Sequence, residues 1–400
     1  MPNVKKSMMA AAGAGGGGSE VYMWGANNLG QLGDPDGDGA VNSDVNWQVK
    51  TLGGHTWSDL VMGYNTGFGV TTDGELYAWG HAGPNQIPDG ASDTNYRDGP
   101  VQIGTDTDWA KLSIIADTSY SCTRTDGTMW VWGKNNYGSL GVGDDSGAHG
   151  VSADRISPTQ LGSLTDWGDS FTMLLGKRTH HIKSNGTLWS SGWQYNHGNL
   201  GNSSLTDVSS PIQVGTLTDW AQIGGHQSVT HGIKTDGTMW GWGTNNAYNA
   251  PIGNSTTSPT FSSPVVLAAP AGGGTWTSVA HQGYQVCAVS SDNKLYTWGD
   301  YKTNVYGPLP DTNVVYSCPV QVGTLTDWAR VISLVGAGDG WALKTDGTLW
   351  AWGKNTNGTV SADGTEAHNT TFLSPIQIGT NTNWTDPLIK GQANGIAMVV

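Results

Sequence analysis

Residues 126–133 read DGTMWVWG, and residues 346–353 read DGTLWAWG. In an extended strand the side chains alternate between two faces, so Trp130 and Trp132 share one face while Met129 and Val131 take the other. Both faces are apolar, so such a strand must be covered on both sides. The preceding Asp-Gly pair is typical of a tight turn between antiparallel strands. The segment therefore predicts a central strand of a small sheet that is packed between two other sheets.

Related segments recur along the whole chain. Seven glycines close them: Gly25, Gly80, Gly133, Gly192, Gly243, Gly299 and Gly353. A second marker, mostly an Asp-Trp or Asn-Trp pair, keeps the same spacing at Trp57, Trp109, Trp167, Trp220, Trp276, Trp328 and Trp384. A third marker is a proline-led strand with sequences such as GPVQIG, SPTQLG and SPIQVG. Three markers in one order indicate a repeat of about 55 residues, which is typical of a β-propeller or a solenoid.

Each repeat predicts four short strands. The first starts at the Asp-Trp marker, the second ends in the Asp-Gly turn, the third carries the tryptophans, and the proline-led strand lies at the outer edge, where a missing N–H donor is tolerated. We therefore predict an all-β, seven-bladed β-propeller over residues 20–400. The tryptophans are expected to fill the layers between its blades.

The two ends of the repeat region complement each other. Residues 384–400 supply only the first two strands of a unit, and residues 20–53 begin at the third strand. Pairing of the two half-units would close the ring and remove two exposed sheet edges. Residues 1–19 then form a flexible N-terminal anchoring arm outside the ring.

Composition excludes several classes of function. The chain has 18 basic and 32 acidic residues and a formal net charge of −14, which opposes binding to nucleic acid and to anionic membranes. No run of about 18 apolar residues predicts a membrane span. The three cysteines, Cys122, Cys287 and Cys318, are too scattered for a disulfide framework or a zinc site.

The glycine-rich loop after the third strand is the most specific motif in the chain. GANNLGQLG at 25–33 and GKNNYGSLGVGD at 133–144 resemble the repeats of the regulator of chromosome condensation family of seven-bladed propellers. The resemblance covers about residues 20–400 and implies the propeller fold. It implies no single function, because family members include a nucleotide-exchange factor, an ultraviolet receptor and a β-lactamase inhibitor. The Gly-Trp-Arg-His-Thr string of the receptor type is absent from the sequence.

One acidic loop, DPDGDGAVNSD at 34–44, has the alternating carboxylates of the first half of an EF-hand calcium loop. The twelfth position, which should be glutamate, is a valine. Two interpretations stay open: a calcium site, or a solvated acidic insertion after the family's glycine-leucine-glycine loop. The candidate ligands are Asp34, Asp36, Asp38 and Asp44.

No catalytic motif stands out. His226 and His281 follow the spacing of the repeat, and we expect them in exposed loops at one mouth of the propeller. A metal or general-base role would require them to converge with carboxylates. GAGGGG at 13–18 follows no predicted strand and is interpreted as a tether rather than a phosphate-binding loop. We therefore expect a protein that is not an enzyme and has no cofactor apart from the possible calcium.

The arm gives the main functional hypothesis. KKSMMAAAG at 5–13 resembles the openings of virion structural proteins of marine tailed phages, with Lys5, Lys6, Met8 and Met9 as partner-anchoring residues. This resemblance implies a phage virion component, a tail, fibre or capsid-surface module made in the host cytoplasm. Its partners would be other virion proteins, bound through residues 1–19, and a host-surface receptor, bound through propeller loops. The alternatives are a secreted or periplasmic binding or inhibitor propeller and, third, an exchange factor for a small GTPase.

Overall fold

The structure is a computed structural model. It describes residues 20–25, 29–33, 45–50, 52–63, 65–81, 87–89, 96–116, 118–144, 154–172, 177–194, 197–226, 228–245, 252–256, 260–282, 284–301, 308–309, 314–332, 339–355, 360, 370–384 and 394–399. In these ranges no helix is long and apolar enough to cross a membrane.

The described residues form 27 strands and two short 3-10 turns, at Leu52–Gly54 and Asn136–Gly138. In chain order the strands are β1 (Glu20–Gly25), β2 (Val45–Lys50), β3 (Trp57–Met62), β4 (Thr66–Thr71), β5 (Leu76–His81), β6 (Tyr96–Gln102), β7 (Trp109–Ala116), β8 (Ser119–Arg124), β9 (Met129–Gly133), β10 (Arg155–Gln160), β11 (Trp167–Thr172), β12 (Arg178–Lys183), β13 (Leu188–Gly192), β14 (Val208–Gln213), β15 (Trp220–His226), β16 (Val229–Lys234), β17 (Met239–Thr244), β18 (Thr260–Val266), β19 (Trp276–Gln282), β20 (Gln285–Ser290), β21 (Leu295–Asp300), β22 (Val315–Gln321), β23 (Trp328–Ile332), β24 (Gly340–Lys344), β25 (Leu349–Lys354), β26 (Thr371–Ile378) and β27 (Asn394–Val399).

Six sheets have four antiparallel strands in chain order, and we number them blades 1 to 6: β3–β6, β7–β10, β11–β14, β15–β18, β19–β22 and β23–β26. Each inner strand begins at the tryptophan of the Asp-Trp marker or its equivalent, as predicted. The chain runs outward through each blade and then returns to the inner strand of the next. The β-propeller with four-stranded blades is thus confirmed.

The chain ends share one further sheet, which we call the terminal sheet. In it β27 pairs antiparallel with β1, from Glu20 opposite Val399 to Gly25 opposite Asn394, and β2 pairs with the other edge of β1. The predicted pairing of the two half-units is therefore confirmed. The predicted count of seven four-stranded blades is corrected to six, because the terminal sheet has three strands. The expected first strand of this unit falls on residues 385–393, outside the described residues.

The third strand of blade 2 shows how the repeat builds the core. Trp132 is fully buried and packs on Phe68 of blade 1, with ring centroids 5.4 Å apart. Met129 and Val131 point the other way, into a cluster that includes Trp167 of blade 3. The two faces of β9 thus belong to two different inter-blade layers, as its sequence predicts.

The Asp-Gly turn also joins neighbouring blades. The backbone N–H of Trp167 donates to the carbonyl of Gly127 in the preceding blade at 3.2 Å. Gly127 has φ +80°, and a Cβ at this position would lie 2.0 Å from the carbonyl oxygen of Thr165. Only glycine fits both the left-handed turn and this close approach. Comparable N–H to carbonyl bonds join Trp109 to Gly74 and Trp220 to Gly186.

The outer strands start earlier than the proline-led prediction. Pro158 lies inside β10 rather than at its start, and the register with β9 shifts between Arg155 and Thr159. The physical reason is that proline cannot donate to a regular ladder, so it is accommodated at an irregularity of the outer strand. This strand remains an edge, which a proline protects from pairing with another chain.

Candidate functional site

The turn between the second and third strands is a locally determined structure. In blade 2 an Asp126 carboxylate oxygen accepts hydrogen bonds from the backbone N–H of Thr128 at 2.9 Å and from its hydroxyl at 2.7 Å. The Thr128 hydroxyl in turn accepts from the indole N–H of Trp130 at 3.1 Å. These hydrogen bonds from Thr128 to the charged form hold the pKa of Asp126 below its ordinary value. The carboxylate therefore stays ionised at the surface of the turn.

A cation lies between two tryptophan rings behind this turn. In blade 4 the Lys234 ammonium is 4.4 Å from the ring centroid of Trp240 and 5.6 Å from that of Trp220. Its carboxylate partner is Asp219 at 3.4 Å, immediately before Trp220. The same arrangement recurs with Lys183 in blade 3, Lys344 in blade 6 and Arg124 in blade 2.

A basic residue occupies this position only in the blades whose third strand has tryptophan as its first aromatic residue. The four blades with a basic residue have a tryptophan as the first aromatic residue of that strand. In blades 1 and 5 this residue is a tyrosine, Tyr77 or Tyr296, and the basic position holds Thr71 or Ser290. Among aromatic side chains, tryptophan attracts a cation most strongly.

The ion pairs leave their negative ends toward solvent. The side chains of Lys183, Lys234 and Lys344 are 4, 7 and 8 % exposed, whereas their partners Asp166, Asp219 and Asp327 are 40, 40 and 44 % exposed. The charges of each pair balance, but only the carboxylate is presented to a partner. On this side of the propeller the more exposed member of each of these pairs is therefore the carboxylate.

Exposed leucines lie beside these carboxylates. Leu164, Leu217 and Leu325 are 43, 38 and 47 % exposed, and each stands two residues before such an aspartate in GSLTDW or GTLTDW. These loops link an outer strand to the next inner strand, so they share one face of the ring with the Asp-Gly turns. We call the loops 162–166, 215–219 and 323–327 with these turns the leucine face. An exposed leucine beside a carboxylate thus recurs at three places on this face.

The two candidate histidines are not exposed loop residues, and this prediction was wrong. His281 lies within β19 and is buried, and His226 is the last residue of β15 and half-buried. The inner strands run further than expected, so their last residues are covered by the neighbouring blades. The buried guanidinium of Arg178 donates to the carbonyl of His226 at 3.0 Å.

His231 and His281 form a buried imidazole pair. Nδ1 of His231 is 3.0 Å from Nε2 of His281, and Nε2 of His231 is 3.0 Å from the carbonyl oxygen of Ile252. Since a carbonyl only accepts, His231 carries its proton on Nε2, and His281 donates from Nε2 to Nδ1 of His231. Burial lowers the pKa of His231 to about 4 and that of His281 well below its ordinary value. Both rings are therefore neutral near pH 7, and we assign the pair a structural role.

Other predicted sites fall mostly outside the described residues. These are the calcium candidates Asp34, Asp36, Asp38 and Asp44 and the anchoring candidates Lys5, Lys6, Met8 and Met9. Calcium binding at 34–44 stays a prediction. Cys122 and Cys287 are buried and Cys318 is exposed, all as free thiols. In the part of the chain that the structure describes, no group of three or more His, Cys, Asp or Glu side chains is arranged to hold a metal ion.

Sequence reasoning missed the leucine face and the cation between the tryptophans. The signal for the cation was available, because a lysine or arginine stands two residues before the Asp-Gly or Asn-Gly pair only in the blades with tryptophan. The repetition of GSLTDW and GTLTDW was a signal for the leucines. Neither signal shows by itself which side chains are exposed.

Comparisons with known proteins agree with this architecture. The regulator of chromosome condensation (RCC1) repeat matches residues 126–175. The Ultraviolet-B receptor UVR8 of Arabidopsis thaliana is 28% identical over 240 residues, which are 59% of this chain and 52% of the receptor. The match therefore spans about half of the receptor's length.

Two solved structures have the same fold. Human WBSCR16 gives a TM-score of 0.78 at 16% sequence identity, covering 96% of this chain and 99% of that chain. Prp20p from Saccharomyces cerevisiae gives a TM-score of 0.74 at 13% sequence identity, covering 96% of this chain and 92% of that chain. Together the repeat match and these similarities support the RCC1-like family and its β-propeller fold.

Proposed function

We propose that this protein is a non-enzymatic interaction module that binds partner proteins through the leucine face. The observation that carries the proposal is the pairing of exposed leucines with half-exposed carboxylates whose cationic partners are buried. Such a surface offers apolar contact and a negative field at the same place, and it repels phosphate backbones. It suits a protein partner with basic and apolar side chains.

The fold supports protein binding as well. Prp20p, which has the same propeller fold, binds Gsp1p and histones. At 13% identity this similarity transfers no partner to the present chain. It indicates that a ring of this shape serves as a protein-binding surface elsewhere, and the loops then determine the partner.

The test compares two faces of the ring. The double variant L217K/L325K adds charge to the leucine face, and the control L205K changes a leucine that is 52% exposed in the loop between β13 and β14, on the opposite face. The purified proteins are compared as baits in lysate from the source cells by quantitative mass spectrometry. At least one specific binder should be lost with L217K/L325K and kept with L205K. If every binder survives the double variant, the proposed function is wrong.

The virion component remains a finer hypothesis. Neither UVR8 nor Prp20p is a virion protein, and the arm at 1–19 lies outside the described residues. The hypothesis therefore depends on the likeness of KKSMMAAAG to phage proteins. Deletion of residues 1–19 should leave a folded propeller that no longer joins a particle, and retained incorporation would contradict the anchoring role. A secreted or periplasmic inhibitor stays the alternative, and the partner recovered from the lysate would separate the two.

A further inference from the structure

A groove of about 290 Å³ runs along the outer rim between blades 2 and 3. Its lining is mostly apolar and includes Val142, Leu161, Leu164, Trp167, Trp189 and Pro211. The volume lies near the lower limit of ligand sites, which span about 300–1,000 Å³. It therefore fits a few side chains of a partner rather than a folded element.

One wall of the groove is a glycine loop that is fixed to the next blade. The N–H of Gly143 donates to the carbonyl of Ser209 at 2.8 Å. A Cβ at Gly141 would lie 3.1 Å from the ring of Pro211 and 3.0 Å from the hydroxyl of Ser191, so a side chain here would press on blade 3. The glycine thus lets this wall of the groove lie close against blade 3.

The other wall is the outer strand β10, which offers little backbone pairing. Pro158 has no N–H, and the strand is irregular between Arg155 and Thr159. A partner strand could not form a regular ladder along this edge. Recognition must therefore rest on side chains that enter the groove.

The charge differs between the two ends. At the Leu164 end, Asp166 is half-exposed while its partner Lys183 is buried. The turn with the ionised Asp126 lies next to this loop, because Gly127 accepts a hydrogen bond from the N–H of Trp167. At the other end Asp144 is also half-exposed, but its partner Arg155 is 24% exposed, so the carboxylate there has an accessible counter-ion. The Leu164 end is thus the more negative end.

We propose that this groove binds a short extended segment of a partner protein, with two apolar side chains in the groove and a lysine or arginine at the Leu164 end. The apolar lining accounts for the first requirement, and charge complementarity with Asp126 and Asp166 accounts for the second. This inference rests on the proposed function and deepens it, since it names the kind of segment that is bound. Phosphopeptides and acidic segments are excluded by the same carboxylates.

The probe is a fluorescein-labelled peptide with the sequence Lys-Leu-Thr-Val-Ser, measured by fluorescence anisotropy. Leucine and valine in it share one face of an extended chain. Two matched peptides replace lysine with glutamate, or both apolar residues with serine. We expect saturable binding of the first peptide and a dissociation constant at least about tenfold higher for each of the others, which corresponds to about 1.4 kcal/mol.

The protein variants use the repeat as its own control. L164K places a charge in the groove, whereas L325K makes the same change in an equivalent loop that does not line it. A second variant, T159W, fills the groove from β10. L164K and T159W should weaken binding about tenfold, and L325K should leave it within about twofold. All variants must keep the wild-type circular dichroism and melting temperature.

Three results would contradict the proposed binding of a partner segment in the groove. These are no saturable binding of the first peptide, equal effects of L164K and L325K, and a self-association of the protein that L164K abolishes, which would assign the groove to a second copy of the chain. The lysate comparison uses Leu217 and Leu325, which lie outside the groove, so the proposed function can hold when the groove assignment fails. The reverse outcome, peptide binding without loss of any lysate partner, would contradict only the wider leucine face.

Discussion

At the scale of single residues, the turn glycine does more than form a hairpin. Gly127 combines a left-handed backbone with a close approach between two blades, since the loop of the next blade lies against its α-carbon. Gly162 also has a positive φ of +61°, but a Cβ there would meet nothing within 4 Å. The sequence marks both positions only as glycine. The structure shows that both positions require a left-handed backbone, and that only Gly127 also lacks space for a side chain.

Replacing these glycines with alanine should separate the cost of backbone strain from the cost of the steric clash. We expect G127A to lower the free energy of unfolding by about 3 kcal/mol or more, because strain of about 1–2 kcal/mol is joined by displacement of the Thr165 carbonyl and loss of the inter-blade hydrogen bond. G162A should cost only about 1 kcal/mol from strain. Urea denaturation followed by tryptophan fluorescence measures both. Equal losses of unfolding free energy in the two variants would show that the inter-blade contact at Gly127 adds nothing to the cost of backbone strain.

The cation between two tryptophans is another residue-scale feature. Lys183, Lys234 and Lys344 are nearly buried, yet each keeps a carboxylate partner and two aromatic faces. Burial of an ammonium group is tolerated only with such compensation. The covariation of lysine or arginine with tryptophan among the repeats can be found from the sequence, but the exposure of the carboxylate cannot.

At the scale of strands, the inner and second strands of blades 3 to 5 bury a group of imidazoles. Burial lowers the pKa of His181 to about 3 and those of His226 and His231 to about 4. Burial also lowers the pKa of His180 and His281 well below its ordinary value, with the charge of Arg178 as a further cause. The alternation of residues predicted these strands. It did not predict their burial, because the extent of each inner strand depends on what the neighbouring blades cover.

These histidines should make the ring acid-sensitive. Their pKa values are lower in the folded state than the ordinary value of about 6.5, so the unfolded state binds more protons. Stability is then fully present above about pH 6.5 and is lost as the pH falls toward about 4. Each such histidine contributes up to about 1.4 kcal/mol per pH unit in this window.

The measurement is the free energy of unfolding in urea between pH 8 and pH 4.5. The double variant H231Q/H281Q removes two of the titrating groups and should show a shallower slope than the wild-type protein below pH 6.5. A slope that is unchanged in the double variant would contradict the assignment of proton uptake to this pair.

At the scale of the whole molecule, ring closure depends on the two ends of the repeat region. β27 pairs with β1 over six residues, and Val21 and Met23 of β1 join the core cluster that contains Trp57 and Trp79 of blade 1. On the other side, the N–H of Trp384 donates to the carbonyl of Gly347 in blade 6 at 3.3 Å. The terminal sheet therefore packs on blade 1, and the tryptophan marker of the last repeat is joined to blade 6.

Removal of β27 should open the ring. Deletion of residues 394–400 exposes the edge of β1, and we expect the melting temperature to fall by about 5 °C or more and the radius of gyration to rise in small-angle X-ray scattering. Deletion of residues 1–19 is the control, since β1 begins at Glu20. It should leave the melting temperature unchanged. Equal melting temperatures for the wild-type protein and the 394–400 deletion would contradict closure through this strand.

The sequence by itself determined the propeller, the start of each inner strand and the pairing of the two ends. It could do so because these features follow from local alternation, turn chemistry and a period that recurs along the chain. Only the tertiary structure decided which charges face solvent, which histidines are buried and where a groove opens between blades 2 and 3. Those properties depend on contacts between residues that lie about one repeat apart, and the pattern within a single repeat does not specify them.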